Sequence, residues 1–326
     1  MAEAVEKAAE VLRAGGLVAF PTETVYGLGA DASNAEAVRK IFAVKRRPAW
    51  HPLIVHLGDA EMLDEWAVDI PDAGHTLADR FWPGPLTMIL ARSARVPDAV
   101  TGGQDTVGLR VPDQPVALAM LAAFGGGVAA PSANRFVRIS PTTADDVRAE
   151  LGNEVDVVLD GGPCAVGVES TIVDMSTWDS AKKPACTPTI LRPGAVTAAM
   201  LEEALGSQVS LHVGVDHPTV RAPGTLDSHY SPNARVEVSS ATGVRRRARV
   251  LVAEGLRVGV LAPTLLRVPP EVHHFDPAGD SAAYARCLYR RFREADSIGL
   301  DVLLVVPPDS DGVGLAVVDR IRRASG

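Results

Sequence analysis

The sequence predicts an α/β protein, with a large open mixed sheet followed by a smaller Rossmann-like α/β domain. Segments with helical and strand periodicity alternate along the 326 residues. Their connections are long and rich in Pro and Gly, which favours a mixed sheet over a strictly doubly wound one. A shorter β–α–β–α pattern then follows. We predict domains at 1–205 and 236–326, joined by an ordered linker at 206–235.

Apolar periodicity predicts the elements of the first domain. Residues 4–14 have helical spacing and end at Gly15-Gly16, and 17–20 form a buried strand stopped by Pro21. A second helix is predicted at 34–44, with Asn34 as its N-cap. Helical pieces are predicted between 59 and 82, and a helix start at 140–143. Further strands are predicted at 53–57, 86–90, 106–110, 127–130 and 155–159.

The linker and the second domain differ in pattern. Residues 206–235 contain several Pro and His residues and show little periodicity. Beyond them, 240–254 is helical or mixed. The remaining elements are a strand at 257–262, a helix at 281–295, a buried strand at 302–306 and a helix at 314–323.

Composition excludes several classes of protein. The net charge is −8, which argues against a surface devoted to nucleic acid, and the aromatic content of 5% argues against a stacking platform for single strands. The three cysteines are far apart and form no Cys-x-x-Cys pair, so neither a disulfide framework nor a structural zinc site is expected. The N-terminus lacks the pattern of a signal peptide and no apolar run is long enough to cross a bilayer, so we expect a cytoplasmic protein without a membrane partner.

Positive charge is concentrated at Lys45-Arg46-Arg47-Pro48, closely followed by His51 and His56. A guanidinium binds phosphate or carboxylate through two parallel hydrogen bonds, and Lys adds a point charge. These residues follow a predicted helix, so a solvated helix end that complements the helix dipole is the alternative interpretation. Local sequence leaves both open.

Polar residues also follow several predicted strands. Pro131-Ser132-Ala133-Asn134 offers a hydroxyl and an amide, although the same residues are typical of a turn. Further Ser, Thr and Arg side chains lie at strand ends, namely Thr106, Arg110, Ser170 and Arg192. No nucleophile and no paired catalytic acids are evident. Such a set suits nucleotide chemistry in which the substrate attacks a phosphate while the protein supplies charge and alignment.

Two familiar motifs do not fit. Residues 27–32 resemble a dinucleotide fingerprint, but they lack its strand–turn–helix setting. Ser132 does not lie in a Gly-x-Ser-x-Gly elbow, so a serine hydrolase is not indicated.

Taken together, the motifs resemble those of the YrdC-like family. The first domain carries Pro21-Thr22-Glu23-Thr24-Val25-Tyr26-Gly27-Leu28, Lys45-x-Arg47-Pro48, His51-Pro52-Leu53-Ile54-Val55-His56, Trp82-Pro83-Gly84-Pro85-Leu86-Thr87, Ala130 to Asn134 and Glu169 to Asp174. Ala222-Pro223-Gly224 and His229-Tyr230-Ser231-Pro232 resemble the linker of its long, two-domain threonylcarbamoyl-AMP synthases. Leu288-Tyr289, Asp296, Gly312-x-Gly314 and Asp319-Arg320 resemble their C-terminal domain.

The resemblance implies an open twisted mixed sheet with a concave basic face. It implies condensation of L-threonine, bicarbonate and ATP, with Mg²⁺ carried by the phosphates, into threonylcarbamoyl-AMP and pyrophosphate. A separate tRNA threonylcarbamoyl transferase would use the product, and weak contact with tRNA is an additional expectation. Residues 221–232 would close over the pocket and exclude water.

The resemblance also implies site residues. The catalytic core would be Lys45, Arg47, Ser132 and Asn134. ATP would be bound by Arg47, His51, Thr106, Ser132, Ser140, Arg192 and Tyr230. Threonine would be held by Thr24, His56, Arg110 and Ser170, and no metal ligand would come from the protein.

One position departs from the family pattern. Val137 stands where the family usually has Gly. If the backbone there requires a positive φ, a β-branched residue would be strained.

Two alternatives to the expected synthase remain, and the first of them is from a different class. One is an RNA-binding module without catalysis, which the net charge and the low aromatic content disfavour. The other is a carbamoyl-adenylate enzyme with a different acceptor. Those relatives usually carry other fused domains, whereas the extra domain here is of the synthase type.

Overall fold

The computed structural model describes residues 1–178, 187–212, 220–224 and 230–326. The chain divides into two compact units. The first comprises the described residues of 1–136, 141–165 and 169–225. The second comprises 137–140, 166–168 and the described residues of 226–326. The domain boundaries predicted above stay a prediction, and His229 of the linker lies outside the described residues.

The helices of the first unit are α1 to α8. They span Ala2–Arg13, Ala35–Lys45, Leu63–Trp66, Asp72–Phe81, Asp98–Thr101, Pro115–Phe124, Ala144–Leu151 and Ala198–Leu205. Its strands are β1 to β11. They span Val18–Phe20, Gly27–Asp31, Ile54–His56, Ala67–Val68, Leu86–Arg92, Thr106–Arg110, Val128–Ala129, Val157–Val158, Thr171–Asp174, Thr189–Arg192 and Ser210–Leu211.

These strands form one mixed sheet in the order β11-β10-β9-β5-β6-β3-β7-β2-β1-β8, with β4 paired to β5. The pairs β3–β6 and β5–β9 are parallel, whereas β5–β6 and β3–β7 are antiparallel. The predicted open mixed sheet is therefore confirmed.

Side-chain alternation separates the two faces of this sheet. Val55, Met88, Leu109 and Val173 belong to the main apolar core. Neighbouring residues along each strand point the opposite way, because the period of a strand is two. The opposite face therefore carries a second set of side chains: Ile54, His56, Thr87, Ile89, Thr106, Arg110 and Ile172.

The first helices form as the sequence predicts. In α1 the buried residues are Val5, Ala8, Ala9 and Leu12. In α2, Asn34 accepts hydrogen bonds from the backbone N–H groups of Glu36 and Ala37, as an N-cap does. In α7, Thr143 and Asp146 form a reciprocal capping box, which confirms the helix start predicted there.

Strand β2 was not predicted. Its sequence, Gly27-Leu28-Gly29-Ala30-Asp31, is poor in the β-branched residues that mark strands. The glycines are there for packing, since a Cβ on Gly29 would lie 2.6 Å from Val128 and 2.8 Å from the ring of Phe20. The segment that resembled a dinucleotide fingerprint is a buried strand paired antiparallel to β1.

The second unit contains α9, Val244–Ala253, α10, Ser281–Ser297, and α11, Gly314–Ala324. Its strands are β12, Arg235–Val238, β13, Val258–Leu261, β14, His273–His274, and β15, Val302–Val305. The strands run parallel in the order β12-β15-β13-β14. This is the predicted Rossmann-like arrangement. No helix of the described residues is long and apolar enough to span a membrane.

Val137 lies in the left-handed region, with φ at +61°. It belongs to the second unit, where its carbonyl accepts a hydrogen bond of 3.0 Å from the N–H of Ser231. Arg138 next to it donates to Asn233 at 2.7 Å. The condition for strain at Val137 is therefore met.

We expect Val137→Gly to raise the free energy of unfolding by about 1 kcal/mol. A non-glycine residue at such a φ is strained by about 1–3 kcal/mol, which Gly relieves. The greater conformational entropy of Gly in the unfolded chain offsets part of this stabilisation. Urea unfolding of purified variants measures the change. Val137→Ala keeps a Cβ and should gain less, so an equal or larger gain for Ala would argue against strain.

Candidate active site

The loop after α2 turns two cations inward and one outward. Lys45 ends the helix, and Arg46 follows in the left-handed conformation at φ +53°. The N–H of Arg47 then bonds back to the carbonyl of Phe42 at 3.0 Å. Lys45 is 1% exposed and Arg47 is 8% exposed, whereas Arg46 faces solvent. A solvated helix end describes Arg46 only.

Lys45 joins this loop to the turn that follows β7. Its Nζ donates to the carbonyl of Ser132 at 2.5 Å and to the carbonyl of Asn134. Two predicted catalytic residues, 87 and 89 positions away, therefore meet Lys45 through their backbone oxygens. Burial, and then the charge of Arg47, hold the pKa of Lys45 well below its usual value.

Arg47 is linked to His51 through an aromatic ring. Its guanidinium donates to the carbonyl of Pro52 at 3.0 Å and lies 5.9 Å from the ring centroid of Phe136. The Phe136 and His51 rings are 5.2 Å apart. Burial, and then Arg47 and Arg221, lower the pKa of His51 to about 4, so His51 is neutral at pH 7.

Trp50 and Arg221 continue the same row. The Trp50 ring stacks on His51 with centroids 3.8 Å apart, and the Arg221 guanidinium lies 5.9 Å from the Trp50 ring. Arg221 also donates to the carbonyl of Gly102 at 2.8 Å. Its N–H donates to the side chain of Gln104 at 2.7 Å. Two guanidinium groups, Arg47 and Arg221, thus lie at the ends of a row of rings that contains the neutral imidazole of His51.

A second group surrounds Arg110 at the end of β6. Arg110 donates from Nε to the carbonyl of Gly84 at 3.2 Å and from Nη1 to the hydroxyl of Thr24 at 3.0 Å. Its Nη2 lies 2.6 Å from Oε1 of Glu23. His56 is in register with Arg110 across the parallel pair β3–β6. These contacts bring together three of the four residues predicted to bind threonine.

Burial lowers the pKa of His56 to about 3, and the charge of Arg110 contributes further. The ring meets Phe20 edge to face, with centroids 5.6 Å apart. His56 is therefore a neutral imidazole at physiological pH, and a proton on it would be strongly disfavoured.

Ser170 and Arg192 form a third group. Arg192 donates from Nη2 to the hydroxyl of Ser170 at 2.9 Å and from Nε to the Ser170 carbonyl at 3.0 Å. The Ser170 hydroxyl is also 2.8 Å from that of Thr87. Arg192 reaches the carbonyl of Pro223 at 3.1 Å. Ser170, which is predicted to bind threonine, and Arg192, which is predicted to bind the nucleotide, are thus direct hydrogen-bond partners.

Residues 220–224 pack on the same face of the sheet. Ala222 is buried in an apolar cluster with residues of four strands, Ile54, Ile89, Ile172 and Leu191. Arg221 and Pro223, together with Thr106 and Thr87, line a small cavity there. Thr106 is half-buried at its rim. Closure of 221–232 over the pocket stays a prediction, and residues 225–229 lie outside the described part of the chain.

The two remaining predicted residues fall in the second unit. Ser140 is fully buried there. Tyr230, with φ at +65°, lies 5.7 Å from the ring of Tyr289 and 5.4 Å from the guanidinium of Arg320.

Three polar residues in these groups had no predicted role: Glu23, Thr87 and Arg221. Glu23 and Thr87 lie inside motifs quoted above, and Arg221 immediately precedes Ala222-Pro223-Gly224. A charged residue between two threonines in an otherwise apolar segment is the one signal that pointed to Glu23. Their contacts depend on the tertiary fold.

Comparison with known proteins decides the family. A model of the Sua5/YciO/YrdC family, described as telomere recombination, matches residues 10–194. A model of the C-terminal domain of threonylcarbamoyl-AMP synthase matches residues 196–326. The chain belongs to the Sua5/YciO/YrdC family. The predicted membership and the two-domain organisation are both confirmed.

Similar members of the Sua5/YciO/YrdC family are matched over nearly their full length. The threonylcarbamoyl-AMP synthase of Pyrococcus abyssi is 40% identical, over 98% of this chain and 93% of the relative. That of Bacillus subtilis is 37% identical, over 99% of this chain and 93% of the relative. A crystal structure of P. abyssi Sua5 complexed with L-threonine matches with a TM-score of 0.90 and 38% identity, over 100% of this chain and 95% of that one.

We expect His56 to make the protein acid-sensitive. Its folded pKa of about 3 lies below the unfolded value of 6.5, so the unfolded state binds more protons and stability falls as pH drops from about 6.5 towards 3. Between pH 7 and pH 5 the loss from His56 is about 2 kcal/mol. Urea unfolding at the two pH values should show a smaller loss for His56→Gln. His75, whose side chain is 46% exposed, provides the control, and an equal effect of His75→Gln would contradict this assignment.

Proposed function

We propose that this chain is an L-threonylcarbamoyl-AMP synthase. It condenses L-threonine, bicarbonate and ATP and releases pyrophosphate, which is the first step of tRNA N6-threonylcarbamoyladenosine modification. The observation that carries the proposal is the presence of two separate anion-binding groups in one unit, Lys45 with Arg47 and Arg110 with Thr24. The near full-length similarity to threonylcarbamoyl-AMP synthases supports it.

Arg110 would bind the carboxylate of threonine. The hydroxyl of Thr24 can act towards the rest of the substrate only as a hydrogen-bond acceptor, because it already donates its own proton within the protein. The hydroxyl of Thr22 donates to the carbonyl of Val25 at 2.6 Å, so the 2.8 Å contact between the two hydroxyls requires Thr24 to donate to Thr22. Thr24 can then accept from the amine or hydroxyl of threonine. His56 and Ser170 would complete this subsite.

Lys45 and Arg47 would bind the triphosphate, where two positive charges offset the charge of the phosphates. Ser132 and Asn134 lie against Lys45. Thr106 lines the small cavity, and Arg192 donates to the carbonyl of Pro223, another residue that lines it. His51 would contact the nucleotide as a neutral ring. Ser140 and Tyr230 are proposed ATP contacts from the resemblance alone.

The reaction would need no nucleophile from the protein. The amine of threonine and bicarbonate form a carbamate with loss of water. A carbamate oxygen attacks the α-phosphorus of ATP, and the bond from that phosphorus to the bridging oxygen of pyrophosphate breaks. The protein would align the two reactants, stabilise charge on the phosphates and exclude water from two labile species.

Mg²⁺ would arrive with ATP. The described residues contain no group of three or more His, Cys, Asp or Glu side chains placed to hold a metal. Triphosphate oxygens and water are sufficient ligands for Mg²⁺, which would neutralise phosphate charge when bound. Lys45 and Arg47 are the side chains of this chain that would share that charge.

The product is a mixed anhydride that water hydrolyses, so a transferase must consume it promptly. We propose a tRNA threonylcarbamoyl transferase as that partner, with at most a weak contact between this chain and tRNA. The proposed compartment is the cytoplasm, where tRNA, ATP and threonine are available.

Pyrophosphate release should require ATP, L-threonine and bicarbonate together. A coupled pyrophosphate assay, run with each substrate omitted in turn, measures this, and mass spectrometry should detect threonylcarbamoyl-AMP in the complete reaction. RNA binding without any threonine-dependent turnover would contradict the proposal and favour a binding module.

Arg47→Ala should lower the rate of pyrophosphate release by about 100-fold or more, as loss of a charge-stabilising donor does. Arg46→Ala is the matched control, because Arg46 is the adjacent Arg and faces solvent. It should retain most of the activity. Circular dichroism and thermal unfolding check that both variants fold. Equal activity of the two variants would show that Arg47 does not act on the nucleotide.

A further inference from the structure

Glu23 is a buried carboxylate that the proposed reaction leaves without a role. It is 7% exposed, and its two oxygens have different neighbours. Oε2 accepts from the N–H of Asp113 at 3.1 Å, which ties the carboxylate to the chain beyond β6. Oε1 lies 2.6 Å from Nη2 of Arg110, whose side chain is 4% exposed. A buried guanidinium and a buried carboxylate thus form an ion pair inside the proposed threonine subsite.

The contact between Glu23 and Arg110 is an electrostatic one. Although the two atoms are close, they are not aligned for a hydrogen bond, and Oε1 and Nη2 have no other hydrogen-bond partner in the described residues. Both atoms are buried, so the charge of Glu23 offsets that of Arg110 with little screening by water.

The orientation of Arg110 does not depend on Glu23. The hydrogen bonds from Nε to Gly84 and from Nη1 to Thr24 fix the plane of the guanidinium. Removing the charge of Glu23 while keeping its shape should therefore leave Arg110 in place. The other titratable groups that interact with Arg110 are His56, which is neutral, and Cys164, whose thiol pKa is raised by burial. Among these neighbours, Glu23 is the carboxylate that balances Arg110.

We propose that Glu23 is the counter-ion of Arg110 and limits the affinity of the site for the substrate's carboxylate. Before threonine binds, Glu23 pays the electrostatic cost of burying Arg110. When threonine binds, its carboxylate meets a guanidinium whose charge is already balanced. The threonine carboxylate then also lies near the negative charge of Glu23. Threonine then binds less tightly than it would to an uncompensated cation, and the stability of the unliganded protein no longer depends on substrate. This inference rests on the proposed threonine subsite.

The test compares threonine binding by the full chain and by Glu23→Gln. The amide keeps the size of the side chain and an oxygen that accepts from Asp113, and it loses the charge. We expect Glu23→Gln to unfold at a lower temperature than wild type, because Arg110 is left without a counter-ion. We expect its dissociation constant for L-threonine to be at least fivefold lower, and L-threonine to raise its unfolding temperature by more than that of wild type. ATP affinity should be unchanged.

A purely structural role for Glu23 gives a different result. It predicts lower stability with equal or weaker threonine binding, and that outcome overturns the inference. The inference also fails if L-threonine raises the unfolding temperature of Glu23→Gln by no more than it raises that of wild type. Glu23→Asp keeps the charge on a shorter side chain and should fall between wild type and Glu23→Gln in threonine affinity. Glu237→Gln is the matched control. Glu237 pairs with Arg247 through contacts of 2.7 and 2.9 Å in the second unit, and its replacement should leave threonine affinity unchanged.

The same experiment separates this inference from the proposed function. If wild type itself shows no binding of L-threonine by calorimetry, the threonine subsite and the Glu23 inference fail together. If wild type binds threonine and Glu23→Gln binds it equally or less tightly, only the inference fails. L-Threoninamide, which lacks the carboxylate, should gain no affinity from Glu23→Gln, and an equal gain for the amide would also overturn it.

Discussion

The ammonium group of Lys45 makes the contacts on which the proposed nucleotide side of this site depends. It connects the end of α2 to the turn after β7 by donating to the carbonyls of Ser132 and Asn134. A buried ammonium is costly, and carbonyl oxygens reduce that cost without cancelling the charge. The same device recurs at Arg47, which donates to Pro52, and at Arg192, which donates to Ser170 and Pro223. Backbone oxygens thus fix the directions of these three side chains.

Much of the fold follows from the sequence because local periodicity and burial agree. In α1 and α2 the apolar spacing identifies the buried face, and Asn34 caps the helix that its position predicts. Strand β2 could not be found in this way. Gly27 and Gly29 are required there because a Cβ at either position would lie too close to the ring of Phe20 in the neighbouring strand. The requirement comes from a partner strand, and a local pattern does not record it.

The site shows the same division. The loop from Lys45 to His51 is visible as a concentration of charge, yet its local pattern is equally typical of a solvated helix end. The left-handed backbone conformation at Arg46 decides between the two interpretations. It directs the side chain of Arg46 to solvent and those of Lys45 and Arg47 into the protein. Motif resemblance supplied Thr24, His56 and Arg110 together. The register of β3 with β6 places His56 beside Arg110, and a hydrogen bond joins Arg110 to Thr24. Glu23 and Arg221 act through contacts made by distant segments, so their positions in the sequence carried little information.

The two ends of the site differ in charge, and the difference matches their proposed ligands. A triphosphate carries several negative charges, and the loop that would receive it holds Lys45 and Arg47 beside a neutral His51. Threonine enters as a zwitterion with no net charge. At Arg110 a carboxylate, Glu23, balances the guanidinium. A neutral pair of this kind can accept a neutral ligand without burying additional net charge. An unbalanced cation there would attract any small anion, phosphate included, so the ion pair also favours the amino acid over the products released at the other end.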